Sequence, residues 1–190
     1  KSTTKAITPE SLEDTLISNH KIIHCNGRHL GACIKAKAIA DTHGAGTVFS
    51  FDGGAGRYRE ELLPLMREID IGIVALDFAL KATNEMNLTG STWLKLNQLF
   101  PKAHIIGITD GQRGSWIQHE DQEPFHQPAF LAEKIEDTTG CGDVYHGTFL
   151  HAIESGILVN EAARMASAAG AMNASALGGR GCLPTKEQLK

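Results

Sequence analysis

The chain has 190 residues, 42% apolar and 21% charged, with a net charge of −4. That length makes one domain or part of one, and the composition excludes both a disordered chain and a collagen-like fibre. With 18 Lys and Arg against 22 Asp and Glu, and no block of like charge, there is no footprint for a phosphate backbone, so no nucleic-acid partner is expected. No window nears the roughly 18 consecutive apolar residues of a membrane helix, and Lys1 to Glu10 lacks the apolar stretch of a secretory signal. The expectation is a cytoplasmic chain with no membrane partner. Cys25, Cys33, Cys141 and Cys182 are scattered without CxxC pairing, which predicts reduced thiols. The 20 glycines are an excess, and glycine collects where backbone turns sharply or meets a ligand.

In chain order, short apolar runs, glycine-rich turns and helical periods alternate, which predicts an α/β fold. Lys21 to Cys25 reads as a strand, followed by Asn26-Gly27 and a helix over Leu30 to Asp41. Thr47 to Phe51 is the next strand, followed by Asp52-Gly53-Gly54 and a helix over Tyr58 to Arg67. Ile71 to Leu76 and His104 to Thr109 repeat the pattern, with helices near Asp77 to Glu85 and Ser91 to Phe100. Four such runs suit a buried parallel sheet. Ser115 to His119 and Phe125 to Ile135 read as a shorter antiparallel excursion, and two helices follow, Cys141 to Ser155 and the alanine-rich Asn160 to Ala176.

Chemistry concentrates in Asp137-Thr138-Thr139-Gly140-Cys141-Gly142-Asp143, just before an amphipathic helix. Glycines on either side of a small residue let the amides of Gly140, Cys141, Gly142 and Asp143 converge, and the positive end of the helix adds to them. Such an anion hole suits an oxygen that gains charge in a transition state, with the Asp143 carboxylate placed to receive a proton. The bland alternative is a glycine-rich helix start with a capping acid. Gly44-Ala45-Gly46 enters a strand rather than leaving one, and no GxxxxGK[ST] loop exists, so neither a dinucleotide fingerprint nor a P-loop is present. A nicotinamide oxidoreductase is therefore disfavoured. The nine histidines show no zinc-site spacing.

DTTGCGDVYHGTF resembles the second signature of the ribokinase-like, phosphofructokinase-B type carbohydrate kinases. The resemblance implies a Rossmann-like three-layer α/β/α fold with a doubly wound, mostly parallel sheet. It makes residues 1–190 a single incomplete nucleotide-binding domain, lacking the N-terminal strands and lid and preceded by a further portion or completed by another chain. It implies Asp143 as the base, with Gly140, Cys141 and Gly142 around the transferred phosphate. Cys141 stands where alanine is commonest in relatives, at a helix start that lowers thiol pKa, so alkylation there is expected, with protection by ATP and magnesium. Ile106 to Gly114 resembles the family's nucleotide segment, which implies Thr109, Gly111 and Gly114 against the nucleotide, although any strand-end corner could spell it. Ala162 to Pro184 resembles the helix and glycine loop that close over the adenine, which implies Ala169, Gly170 and Asn173 near the base; a plain close-packed helix is the alternative.

By the same resemblance Asp137 and Thr139 are candidates for a monovalent-cation site, with potassium as the ion. Asp52 to Arg57 occupies the place of the family's Asp-x-Asn-x-Arg segment with one residue more, so Arg57 either faces the transferred phosphate or starts an exposed helix. At Leu76 to Ala79 the Asn-x-x-Glu of many relatives is missing, so either Asp77 substitutes in organising Mg2+ or the nucleotide phosphates hold it. The implied activity is transfer of the ATP γ-phosphoryl group to a hydroxymethyl group of a sugar, with a homodimer as a candidate assembly. The alternative is a noncatalytic nucleotide-binding or scaffold member of the same fold, prompted by the absent sugar-binding half and the altered Leu76 to Ala79.

Overall fold

The strands β1 (Ile22–Cys25), β2 (Val48–Gly53) and β3 (Ile71–Ala75) pair in parallel, with Ile22 opposite Val48 and Ser50 opposite Ile71. In this computed structural model, residues 6–43, 46–132, 134–185 and 187–188 are described. Residues 1–5 of the stretch read for a secretory signal, and Gly44 and Ala45 of the Gly-Ala-Gly segment, lie outside them. The chain divides into two compact units, Lys1–Ile106 and Gly107–Lys190. The strand β4 (Ile105–Thr109) spans the boundary between them along the chain.

In the first unit β2 and β3 behave as interior parallel strands, buried on both faces, whereas β1 is only half-buried. Phe49, Ser50 and Phe51 of β2 and Ile71, Ile73 and Val74 of β3 are all fully buried. Asp70 stitches the strand starts together. Its carboxylate accepts the Phe49 amide at 2.7 Å, its own amide donates to the Phe49 carbonyl at 2.9 Å, and its carbonyl accepts from His104 at 3.0 Å.

The unit's helices are α1 (Asp14–Ser18), α2 (Leu30–His43), α3 (Leu63–Met66), α4 (Leu76–Thr83) and α5 (Gly90–Leu99). The sequence did not flag α1. The helix expected over Tyr58 to Arg67 is reduced to a 3-10 turn at Glu60–Leu62 followed by α3. Pro64 is the reason, because its ring lacks an N–H and collides with the carbonyl four residues back, so a helix can only restart around it. Asn84 ends α4 in the left-handed conformation, a frequent helix stop. At the start of α5, the Thr92 hydroxyl accepts the Thr89 amide at 3.0 Å.

In the second unit β5 (Ser115–His119) and β6 (Phe125–Gln127) are antiparallel, with Trp116 opposite and stacked on His126. The strand expected over Phe125 to Ile135 stops at Gln127 because Pro128 has no N–H for the ladder. Helices α6 (Cys141–Glu154) and α7 (Val159–Ala174) pack together, with Val144 against Ala169. The alanines of α7 permit the approach, and Ala162, Ala163, Ala166 and Ala169 are fully buried. No helix among the described residues is long and apolar enough to cross a membrane.

Phe51 is the centre of the first unit's core, edge-on to Phe78 at 5.8 Å and tilted on Phe100 at 6.1 Å. Phe51→Ala removes a ring from a fully buried site and should cost about 3–5 kcal/mol, the usual cost for such a truncation. Denaturant unfolding of the two proteins measures it, and a loss under about 1 kcal/mol would show that Phe51 does not hold this core.

Candidate functional site

The turn before α6 is fixed by its own backbone and by the segment after α7. Gly140 adopts φ +76°, and a Cβ there would lie 2.3 Å from the Gly179 carbonyl oxygen, so no larger residue fits this approach. Asp137 bridges the two segments. One carboxylate oxygen accepts the Thr139 amide at 2.8 Å and the other accepts the Gly178 amide at 2.9 Å. The Ala174 carbonyl receives the amides of Glu136 and Asp137 at 2.8 and 3.3 Å. Hydrogen bonds from Thr139 and then Gly178 hold the Asp137 carboxyl below its ordinary value, against a smaller opposing effect of desolvation.

Asn173 completes this support from inside. It is fully buried, and its Nδ2 donates to the Thr139 carbonyl at 3.1 Å and approaches Cys141 Sγ at 3.8 Å. The Cys141 amide closes a turn onto the Thr138 carbonyl at 3.2 Å. That leaves fewer free donors than the four expected; Gly142 and Asp143, in the first turn of α6, have amides without intrahelical acceptors.

Beside this turn lies a cavity of about 640 Å³, within the range of small-molecule sites. Thr109, Gly111 and Gly114 line it from the end of β4, Cys141 and Gly142 from the start of α6, and Gly170 from α7. Six of the residues singled out in the sequence therefore share one wall system. Gly114 has φ +88°, and a Cβ there would meet the Gln127 carbonyl oxygen at 2.1 Å, which explains glycine at this corner.

The remaining candidates are placed differently. Asp143 is exposed on the first turn of α6, next in sequence to the cavity residue Gly142. Ala169 is fully buried against Val144, so it and Asn173 back the cavity rather than line it. Arg57 is exposed in the first unit, its side chain folded near Gly54. Asp77 accepts the Gly56 amide at 2.5 Å and so caps the glycine loop.

Sequence reasoning missed the apolar lining formed by Ala129, Phe130, Leu131 and Ile135, because those residues were read as a strand. Pro128 was the signal against that reading. It also missed Tyr145 and Ser167. The Tyr145 hydroxyl and Ser115 Oγ lie 2.8 Å apart, and burial pushes the phenol up to about 12, so Tyr145 stays protonated. Ser167 Oγ donates to the Pro128 carbonyl at 3.1 Å and anchors the apolar segment.

An apolar pocket at a strand's carboxyl end, with a helix start at its wall, is the α/β arrangement that receives a ligand with an apolar end and an anionic end. The family model described as pfkB family carbohydrate kinase matches residues 13–186, and the chain belongs to that family. It is 26% identical over 200 residues to the 5-dehydro-2-deoxygluconokinase of Listeria innocua, covering 97% of this chain and 60% of that protein. Among solved structures it resembles a putative ribokinase from Agrobacterium tumefaciens (TM-score 0.79, 24% identity, 98% of this chain and 58% of that one). It also resembles the Arabidopsis thaliana ribokinase complexed with ribose and ATP (TM-score 0.75, 18% identity, 93% and 56%). The fold is of the ribokinase type, and the chain spans about three fifths of the length of such proteins.

The Asp137 bridge has a pH signature. Because its folded carboxyl lies below the ordinary value of 3.8, the bridge is fully present above that value and is lost as pH falls through the lower, folded one. Protection of the Gly178 amide against exchange, corrected for intrinsic rate, should persist at pH 3.8 and disappear below it. Asp137→Asn should remove the step, and an unchanged profile in that variant would rule the bridge out as its source.

Proposed function

We propose that the full-length protein is an ATP-dependent sugar kinase that acts on a hydroxymethyl group. The observation that carries this reading is the cavity with Gly142 of the α6 start on its wall and Thr109, Gly111, Gly114 and Gly170 around it. The family membership and the ribose and ATP of the Arabidopsis neighbour support it. Phe130, Leu131, Ile135 and Gly170 suit a flat apolar base, while the α6 amides suit phosphate oxygens. ATP supplies the phosphoryl group in this reading.

The residues of this chain then have separate tasks. The Asp143 carboxylate takes the proton of the acceptor hydroxyl as that oxygen bonds to phosphorus and the bond to the ADP leaving group breaks. The Gly142 and Asp143 amides donate to the charge that develops, with Gly140 and Cys141 holding the turn. Donors fixed before the reaction need no reorganisation during it. Ala169 and Asn173 act from behind the nucleotide wall, and Arg57 is the candidate for a phosphate contact in the assembled site. Among the described residues no group of three or more His, Cys, Asp or Glu is placed to hold a metal, and Asp77 is engaged at Gly56. Magnesium in this reading travels on the nucleotide phosphates. A cytoplasmic location and a homodimer belong to the same reading.

Asp143→Ala in the full-length protein should lower turnover by about 10²–10⁴, the usual contribution of a positioned base, while calorimetry shows nucleotide binding retained. Near-normal turnover would refute the role, and nucleotide binding without turnover in the parent protein would point to a noncatalytic member. Asp137 and Thr139 are proposed as the protein's share of a potassium site. Activity should rise with added potassium at constant ionic strength, and a flat titration would remove that assignment.

A further inference from the structure

Helix α7 lines the cavity with Ser167, Gly170, Ala171 and Ala174, whose spacing of three, one and three residues puts them on one helix face. Three of these side chains are a methyl group or a hydrogen, so that face is flat and apolar except at Ser167. Ser167 is buried, with 8% of its surface exposed. Its proton is already committed, because Ser167 Oγ donates to the Pro128 carbonyl at 3.1 Å. Gln127 Nε2 donates to the same carbonyl at 2.8 Å and helps to hold it in place. A hydroxyl has one proton to donate and two lone pairs to accept with, so Ser167 offers the cavity an acceptor and no donor.

The other polar side chains of the lining have different positions or are paired. Thr109 ends β4, Gln112 follows it, and Thr138 belongs to the turn before α6, all toward the proposed phosphate end. The Tyr145 hydroxyl is shared with Ser115 Oγ at 2.8 Å.

We propose that Ser167 selects the base of the nucleotide, accepting a hydrogen bond from an exocyclic amino group and so favouring adenine over 6-oxo purines. The inference rests on the reading of the cavity as a nucleotide site and adds a specificity-determining residue to it.

The selection follows from the direction of one hydrogen bond. Adenine carries an N–H donor at C6, whereas a 6-oxo purine carries a carbonyl acceptor there. Opposite an oxygen that only accepts, the first closes a hydrogen bond. The second sets two oxygens against each other, both withdrawn from water and both unpaired. Turning the Ser167 proton toward that carbonyl would break the bond to Pro128, which anchors the start of the segment that carries Ala129 and Phe130. Apolar contact with Phe130, Leu131 and Gly170 treats the two bases alike, so the choice falls to the polar group.

Binding rather than turnover is the readout. Calorimetry on the full-length protein with magnesium compares ADP, IDP and purine riboside diphosphate, which carry an amino group, a carbonyl and a hydrogen at C6. ADP should bind about tenfold more tightly than IDP, with the unsubstituted purine between them, the scale of one buried hydrogen bond gained or left unmade. Equal affinity of the parent protein for ADP and IDP would overturn the proposal while leaving the nucleotide reading intact. Binding of none of the three would overturn that reading and the proposal with it. Ser167→Ala suits the middle of a helix and should bring ADP and IDP within about threefold of each other. If Ser167 only anchors Pro128, the variant weakens all three ligands by the same factor and leaves their ratios unchanged, and that result would also overturn the proposal. The comparison of ligands on the parent protein stands whether or not the variant folds.

Discussion

The Asp137 carboxylate holds two amides, that of Thr139 in its own turn and that of Gly178 forty-one residues further along the chain, beyond α7, and the site around α6 depends on that bridge. A helix start exposes donors whatever surrounds it, but the donors are useful only if their direction is fixed. Here the fixing is done by backbone. The Ala174 carbonyl receives two amides, Gly140 lies against Gly179, and the buried Asn173 side chain grips the Thr139 carbonyl. None of these contacts needs to touch a ligand. Their effect is to place the Cys141–Asp143 turn beside a cavity whose other walls come from β4, the 129–135 segment and α7.

The first unit obeys a different constraint, the burial of aromatic rings on parallel strands. Phe49 and Phe51 are fully buried, and Phe51 meets Phe78 and Phe100. Polar residues near this core serve as loop ties: Asp70 joins strand starts, Asp77 caps the glycine loop, and Arg59 holds the Gly27 carbonyl.

Much of the fold was legible because its signals are local. The strand at Ser115–His119 falls where a short antiparallel excursion was expected, and the α6 start at Cys141 follows from glycines placed before an amphipathic period. The losses have local causes too: Pro64 divided one expected helix, and Pro128 ended one expected strand. The cavity was half legible. Thr109, Gly111, Gly114, Cys141, Gly142 and Gly170 carry motif spacing, whereas Phe130, Leu131 and Ile135 are ordinary apolar residues until the chain folds them into one wall.

The sequence by itself determined the α/β rhythm, the helix start at Cys141 and the acid at position 143, because glycine placement and apolar period act over a few residues. Only the tertiary structure decided that Asn173 supports the turn from within, that Asp77 caps a loop, and that Arg59 holds the Gly27 carbonyl. Each of those roles depends on which backbone amide or carbonyl lies within about 3 Å, a distance set by packing between elements.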